Sequence, residues 1–159
     1  MWSDQVISMM IQGIWETIYM TVISTFAGYV IGLPMGILLT VTDKDGIHPN
    51  AAVYKVLDVI ANLIRSVPFL ILLIVLIPFT RFLIGRSYGP TATIVPLVIA
   101  AAPFIARMVE SSLQEVDEGV IEAAKSMGAG TWTIIFRVLL VEARTSLIVG
   151  VTIALGTIL

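Results

Sequence analysis

The sequence predicts an all-α, polytopic membrane protein, and three observations carry that prediction. Of its 159 residues 58% are hydrophobic and only 13% charged, with a mean hydropathy of +1.01, whereas a soluble domain carries about 25% charge. Residues 18–41 form a run of 24 without a single charge. As a helix this run would be about 36 Å long, against a hydrocarbon core of about 30 Å. Further apolar stretches recur along the chain, and a domain this small could not bury several of them in a soluble core.

The same composition excludes other classes. Nine basic against eleven acidic residues give a net charge of −2, so there is no basic footprint for nucleic acid. Without cysteine there is no disulfide, thiolate chemistry or cysteine metal site. The first basic residue is Lys44, so no cleavable signal peptide is expected, because such a signal starts basic. No HExxH, GxSxG or GxxxxGK[ST] pattern occurs; the chain reads as no enzyme, with no catalytic residue, no metal site and no phosphate loop for ATP.

The chain reads as one transmembrane domain over 1–159. Spans are expected at about 17–41, 56–79, 91–106 and 145–159, with a loop over 107–144. The last span reaches only about 22 Å as a helix and is expected to be incomplete. Orientation follows the basic residues. With the N-terminus outside, seven of the nine (Lys44, Lys55, Arg65, Arg107, Lys125, Arg137 and Arg144) face the cytoplasm, leaving Arg81 and Arg86 outside. Residues 1–16 read as a short helix on the outer interface, with Trp2 and Trp15 at headgroup level.

Within the first span Thr17, Thr21, Ser24, Gly28, Gly32 and Gly36 recur at spacings of three and four, one helical face. The doubled GxxxG of Gly28, Gly32 and Gly36 lets another helix approach closely in lipid. Pro34, Pro68, Pro78, Pro96 and Pro103 each free a backbone carbonyl and can bend a helix. Arg65, ahead of Pro68 near the inner boundary, reads as an inter-helix structural residue or a gate. His48 reads as part of a turn. No ionisable group lies deep in the first or third span, which disfavours an ion-coupled carrier.

The loop over 107–144 holds ten charges, four basic and six acidic. A segment made for anionic lipid would be basic, so docking on a protein is the better reading. Asp117 is placed to cap a helix running from Glu118 to Met127, which Gly128 would stop. Val120, Ala124 and Met127 fall on one face of it, and Ala123 and Ala124 keep it slim enough for a partner's groove. Thr131 would then cap a second helix through Trp132, Ile134, Ile135, Phe136 and Leu139 into the last span.

Glu122-Ala123-Ala124, then Gly128, then Val138 and Leu140 resembles the EAA loop of ABC importer permeases. Further segments narrow the branch: Trp15-Glu16-Thr17, Gly32-Leu33-Pro34-Met35-Gly36, Arg65-Ser66-Val67-Pro68-Phe69, Ile77-Pro78-Phe79-Thr80-Arg81 and Ala101-Ala102-Pro103 through Glu110. Together they resemble the permease subunit of a methionine-type importer, over essentially the whole chain. Val138 stands where the motif has isoleucine and Val141 where it ends in proline, a departure that predicts a straighter entrance into the last span.

The resemblance implies a type I ABC importer permease bundle with a family core of five spans, the fourth incomplete here, in a bacterial inner membrane. Two permease copies would line a pathway for an amino acid, most simply L- or D-methionine. Two separate ATPase subunits would hold ATP and Mg, and a periplasmic or lipid-anchored binding protein would deliver substrate. Each ATPase would receive a coupling helix formed by Glu118, Val120, Ile121, Glu122, Ala123, Ala124, Met127 and Gly128. In it Glu122 would anchor the loop by charge and hydrogen bonding, the alanines would permit close contact, and Gly128 would supply the turn. The competing readings are a structural or assembly subunit that moves nothing and an ion-coupled secondary carrier.

Overall fold

The computed structural model describes residues 3–43, 46–86 and 88–159. Helices α1 (Asp4–Thr42), α2 (Ala51–Ser66), α3 (Phe69–Val75), α4 (Ile77–Ile84) and α5 (Pro90–Gln114) form the first part of the bundle. After them come α6 (Glu118–Ser126), a one-turn α7 (Thr131–Thr133), a π-helical stretch Ile134–Leu139, α8 (Leu140–Glu142) and α9 (Arg144–Ile158). The described residues contain no strand.

Helix α1 starts where the Ser3 hydroxyl accepts from the Val6 N–H at 3.4 Å and runs unbroken for 39 residues, about 58 Å at the usual rise. The separate interfacial helix expected over residues 1–16 is therefore merged into the first span; Trp2 lies outside the described residues. The physical reason is local. No proline or turn pair interrupts residues 4–17, and the Thr17 and Thr21 hydroxyls donate to the Gly13 and Thr17 carbonyls at 2.8 Å, satisfying themselves on the helix itself. Only from Thr21 onward does α1 bury side chains.

A turn returns the chain, with the His48 and Asn50 N–H groups donating to the Val41 and Thr42 carbonyls at 3.0 Å, and the Asn50 side chain caps α2. The second apolar segment is not one straight helix. Val67 is extended (φ −86°, ψ 126°), as a residue before proline prefers, and α2 and α3 meet at Pro68 with a bend of 105°. Gly85, at φ +88°, closes α4 in the left-handed conformation.

Helix α5 is the centre of the bundle. It runs past the expected end at Arg107 to Gln114, with Pro96 and Pro103 inside it, and buries Ile105, Val109 and Leu113 completely or nearly so. Around them pack Val41, Ala101, Ile134, Ile135, Leu139, Ala143 and Ala154. Two helices, α1 and α5, are long and apolar enough to cross a membrane alone. Two further bent pairs qualify together: Ala51–Ser66 with Phe69–Val75, and Thr131–Glu142 with Arg144–Ile158. The second pair bends by 69° at Ala143 (φ −88°, ψ 1°), so the straighter entrance expected from Val141 does not occur. The bend needs no proline, because buried Ala143 pins the corner into the core.

Candidate coupling surface

The helix seam that supports the site is tight. A Cβ on Gly28 would sit 2.8 Å from Ile105 Cδ1, and one on Gly32 would sit 2.8 Å from the Ala102 carbonyl oxygen. On Gly36 it would meet Val109 Cβ at 2.6 Å and the Ala106 carbonyl oxygen at 2.7 Å. These three glycines let α1 and α5 touch backbone to side chain, which fixes the far end of α5. Ser24 and Thr25 share that buried side of α1, and their hydroxyls have no hydrogen-bond partner among the described residues.

From that fixed end α5 delivers α6. The Asp117 carboxylate accepts from the Gly119 N–H at 3.0 Å, Glu118 lies in the first turn and Lys125 in the last, each sign matched to the helix dipole. The helix ends at Gly128 with φ +80°, and the Ala129 N–H donates to the Ala124 carbonyl at 3.1 Å. Both ends of this nine-residue helix are thus closed by its own sequence, and none of its residues is fully buried.

The expected face of Val120, Ala124 and Met127 is divided by the structure. Ile121 and Ala124 pack onto the core, while Val120, Ala123 and Met127 are exposed, Met127 at 86%. Facing inward uses the 121/124 pair, leaving 120, 123 and 127, spaced at three and four, as the outer stripe. Glu122, expected to anchor the loop by charge and hydrogen bonding, is exposed. Its carboxylate makes no hydrogen bond or ion pair among the described residues and instead lines a cavity of about 520 Å³. Glu118, Ile121 and Lys125 share that cavity from α6, Thr40 and Asp43 from the end of α1, and Gln114 from α5.

After α6, Gly130 rather than Thr131 occupies the cap position, without a side-chain hydrogen bond. The following π-helical stretch turns Ile134, Ile135 and Leu139 inward and leaves Trp132, 74% exposed, stacked on Phe136 with ring centroids 5.8 Å apart. Val120 and Met127 are thus exposed in the α6 segment, as are the stacked Trp132 and Phe136 after it. Arg65 lies in the last turn of α2 and Pro68 caps α3, both exposed at the elbow between them, and neither shares a hydrogen bond or ion pair with α6 among the described residues.

One cluster has no counterpart in the expected site. Arg107 Nη2 on α5 donates to Asp58 Oδ1 and, at 3.2 Å, to Asn62 Oδ1 on α2. Its Nη1 donates to Glu110 Oε2 at 2.9 Å. Glu110 Oε1 accepts from the Tyr54 hydroxyl and from Gln114 Nε2, both at 3.4 Å. Within each helix the spacing was visible: 58/62 and 107/110 are helical neighbours. Which helix would face which, 49 residues away, was not.

A family model described as the binding-protein-dependent transport system inner membrane component matches residues 28–159. The D-methionine transport system permease protein MetI of Escherichia coli K12 is 49% identical over 156 residues, covering 98% of this chain and 72% of the relative. The protein of that name in Yersinia pestis is equally similar, 49% over 156 residues with the same coverage. Among solved structures, an inward-facing conformation of the MetNI methionine ABC transporter superposes with a TM-score of 0.96 at 48% identity, covering 99% of this chain and 73% of the other. An amino acid ABC transporter shares the fold at 21% identity and a TM-score of 0.66, over 99% of this chain and 75% of that one.

Proposed function

The chain belongs to the binding-protein-dependent transport system inner membrane component family, a multi-pass membrane permease with the type I ABC permease fold, and from that premise we propose that it imports methionine, in its L- or D-form. Two copies form the pathway, and α6 is the coupling helix through which each receives the stroke of a separate ATPase. ATP and Mg reside on that ATPase, and a periplasmic or lipid-anchored binding protein supplies the amino acid. The basic residues gathered at the α6 end support placing that end in the cytoplasm.

The observation that carries the reading is α6 itself: a helix closed at both ends by its own residues, joined to the most buried helix of the bundle, with an outer stripe left uncovered. It packs against the π-helical stretch Ile134–Leu139, whose Ile134, Ile135 and Leu139 share the core with Ile105, Val109 and Leu113 of α5, so α6 acts on α5 through that stretch and through the short link 115–117. When ATP binding closes the ATPase pair, the two coupling helices are drawn together, and α5 carries that displacement to the glycine seam with α1. In this reading the EAA residues contribute shape more than charge. Ala123 keeps the outer face low, Ala124 lets α6 sit against the core, and Gly128 turns the chain away. Glu122 borders the cavity behind the helix.

Proteoliposomes holding the protein with its ATPase and binding protein test the reading. Labelled methionine should enter only when ATP and the binding protein are both present. Entry driven by an ion gradient alone would make the protein a carrier, and assembly without any entry would make it a structural subunit.

A further inference from the structure

We infer that Arg107 and Asp58 are positioning residues that yoke α2 to α5, so that α2, as far as the elbow at Pro68, follows the coupling helix. This rests on the transport reading and extends it to residues that reading does not use.

Of the 16 residues of α2 only Ala61 is buried, and in lipid an apolar side chain gains little from leaving hydrocarbon for another helix. The packing of α2 against α1 and α5 is therefore shallow, and interhelical hydrogen bonds weigh correspondingly more in fixing it. Those contacts converge on one guanidinium, whose planar fork suits two acceptors at once: Asp58 and Asn62 on α2 from one nitrogen, Glu110 on α5 from the other. Tyr54 closes the ring from α2 back to Glu110, whose side chain is 9% exposed. The Asn62 amide also donates to Asp58 at 3.4 Å, holding the carboxylate toward α5.

The yoke sits at the mechanically useful place. Arg107 lies two turns before the end of α5, and α6 begins at Glu118 after only three intervening residues. At the other end of α2 stands the 105° elbow at Pro68, which lets the chain bend instead of transmitting force. A displacement of α6 thus reaches the elbow through Arg107 and Asp58.

The protein has no cysteine, so Asp58→Cys with Arg107→Cys supplies the sole thiol pair. In vesicles with ATPase and binding protein, Asp58→Asn and the unlinked double-cysteine variant should hydrolyse ATP within twofold of wild type. Methionine taken up per ATP should fall at least tenfold, and joining the thiols with a short bismaleimide should restore at least half of it. The milder Tyr54→Phe should lower the ratio two- to threefold with assembly intact. An unchanged ratio in Asp58→Asn and Tyr54→Phe would overturn the yoke, as would a linked protein that assembles but stays uncoupled, since the helices would then have to part. Wild-type vesicles that take up nothing would defeat the transport reading alone. The yoke is then judged by linking yield between positions 58 and 107: equal with and without ATP if it holds, at least fivefold lower in one state if it does not.

Discussion

Helices α1 and α6 both rely on glycine and small residues, but for opposite purposes. Along α1, Gly28, Gly32 and Gly36 face α5 where a Cβ would fall 2.6–2.8 Å from the nearest atom. Along α6, a Cβ on Gly128 would meet nothing within 4 Å, and the glycine is there for its φ of +80°. The first set removes bulk so that two helices close on each other; the second turns the chain so that a helix ends and its outer stripe stays open. The seam is thus a finished contact within one chain. In and after α6, Val120, Met127, Trp132 and Phe136 are exposed and a cavity adjoins the helix, which is what the proposed docking of a partner there requires. Substitutions at the seam should act on the stability of this chain, and those at α6 on what it does with a partner.

The sharpest test of that contrast is Gly128→Trp. A Cβ there meets nothing within 4 Å, and the strain of a side chain at φ +80° falls on the end of α6, so insertion into the membrane should be retained while ATP-driven uptake falls at least 100-fold; wild-type uptake would show that α6 docks nowhere. Next, Gly36→Ala should leave α6 untouched and destabilise the bundle by about 1–3 kcal/mol, the usual range for overpacking, read as a lower midpoint of unfolding in detergent. Unchanged stability there would mean the seam is looser than the 2.6 Å approach implies.

Asp117→Ala removes a side chain that caps α6 and should cost about 1 kcal/mol of local stability. Amide exchange confined to the first turn, at Gly119 and Val120, would rise several-fold, with bundle amides unchanged. The smallest effect is expected at Ser24→Ala. The hydroxyl is wholly buried and makes no hydrogen bond among the described residues, so its loss forfeits no partner and should leave the unfolding midpoint within about 0.5 kcal/mol of wild type, neutral or slightly raised. A loss well beyond that would reveal a partner for Ser24 in the assembled complex.

Much of this fold was legible before any coordinates. Local chemistry wrote α6 almost completely, because a carboxylate cap and a left-handed glycine act within a few residues of themselves. The glycine spacing announced a close helix contact but not its partner, which is set by α5 side chains about 70 positions later. Where expectation and structure part, a distant contact decides. The inward face of α6 is Ile121 and Ala124 because the core lies on that side, and the corner at Ala143 bends without proline because its methyl is buried. At Pro68 the bend that a proline permits takes place, and it is far sharper, at 105°, than the apolar run by itself indicates.

By itself, the order of amino acids determined that the chain is helical and membrane-embedded, where α6 starts and stops, and which family it resembles. These properties depend on backbone preferences and solvent transfer, summed over neighbouring residues. Only the tertiary structure decided that the glycines of α1 close on α5, that Ile121 and Ala124 face inward from α6, and that Arg107 reaches across to Asp58. Each of those depends on which surfaces meet after the helices pack, and the meeting of two helices is a property of the whole bundle, held in no local stretch of either.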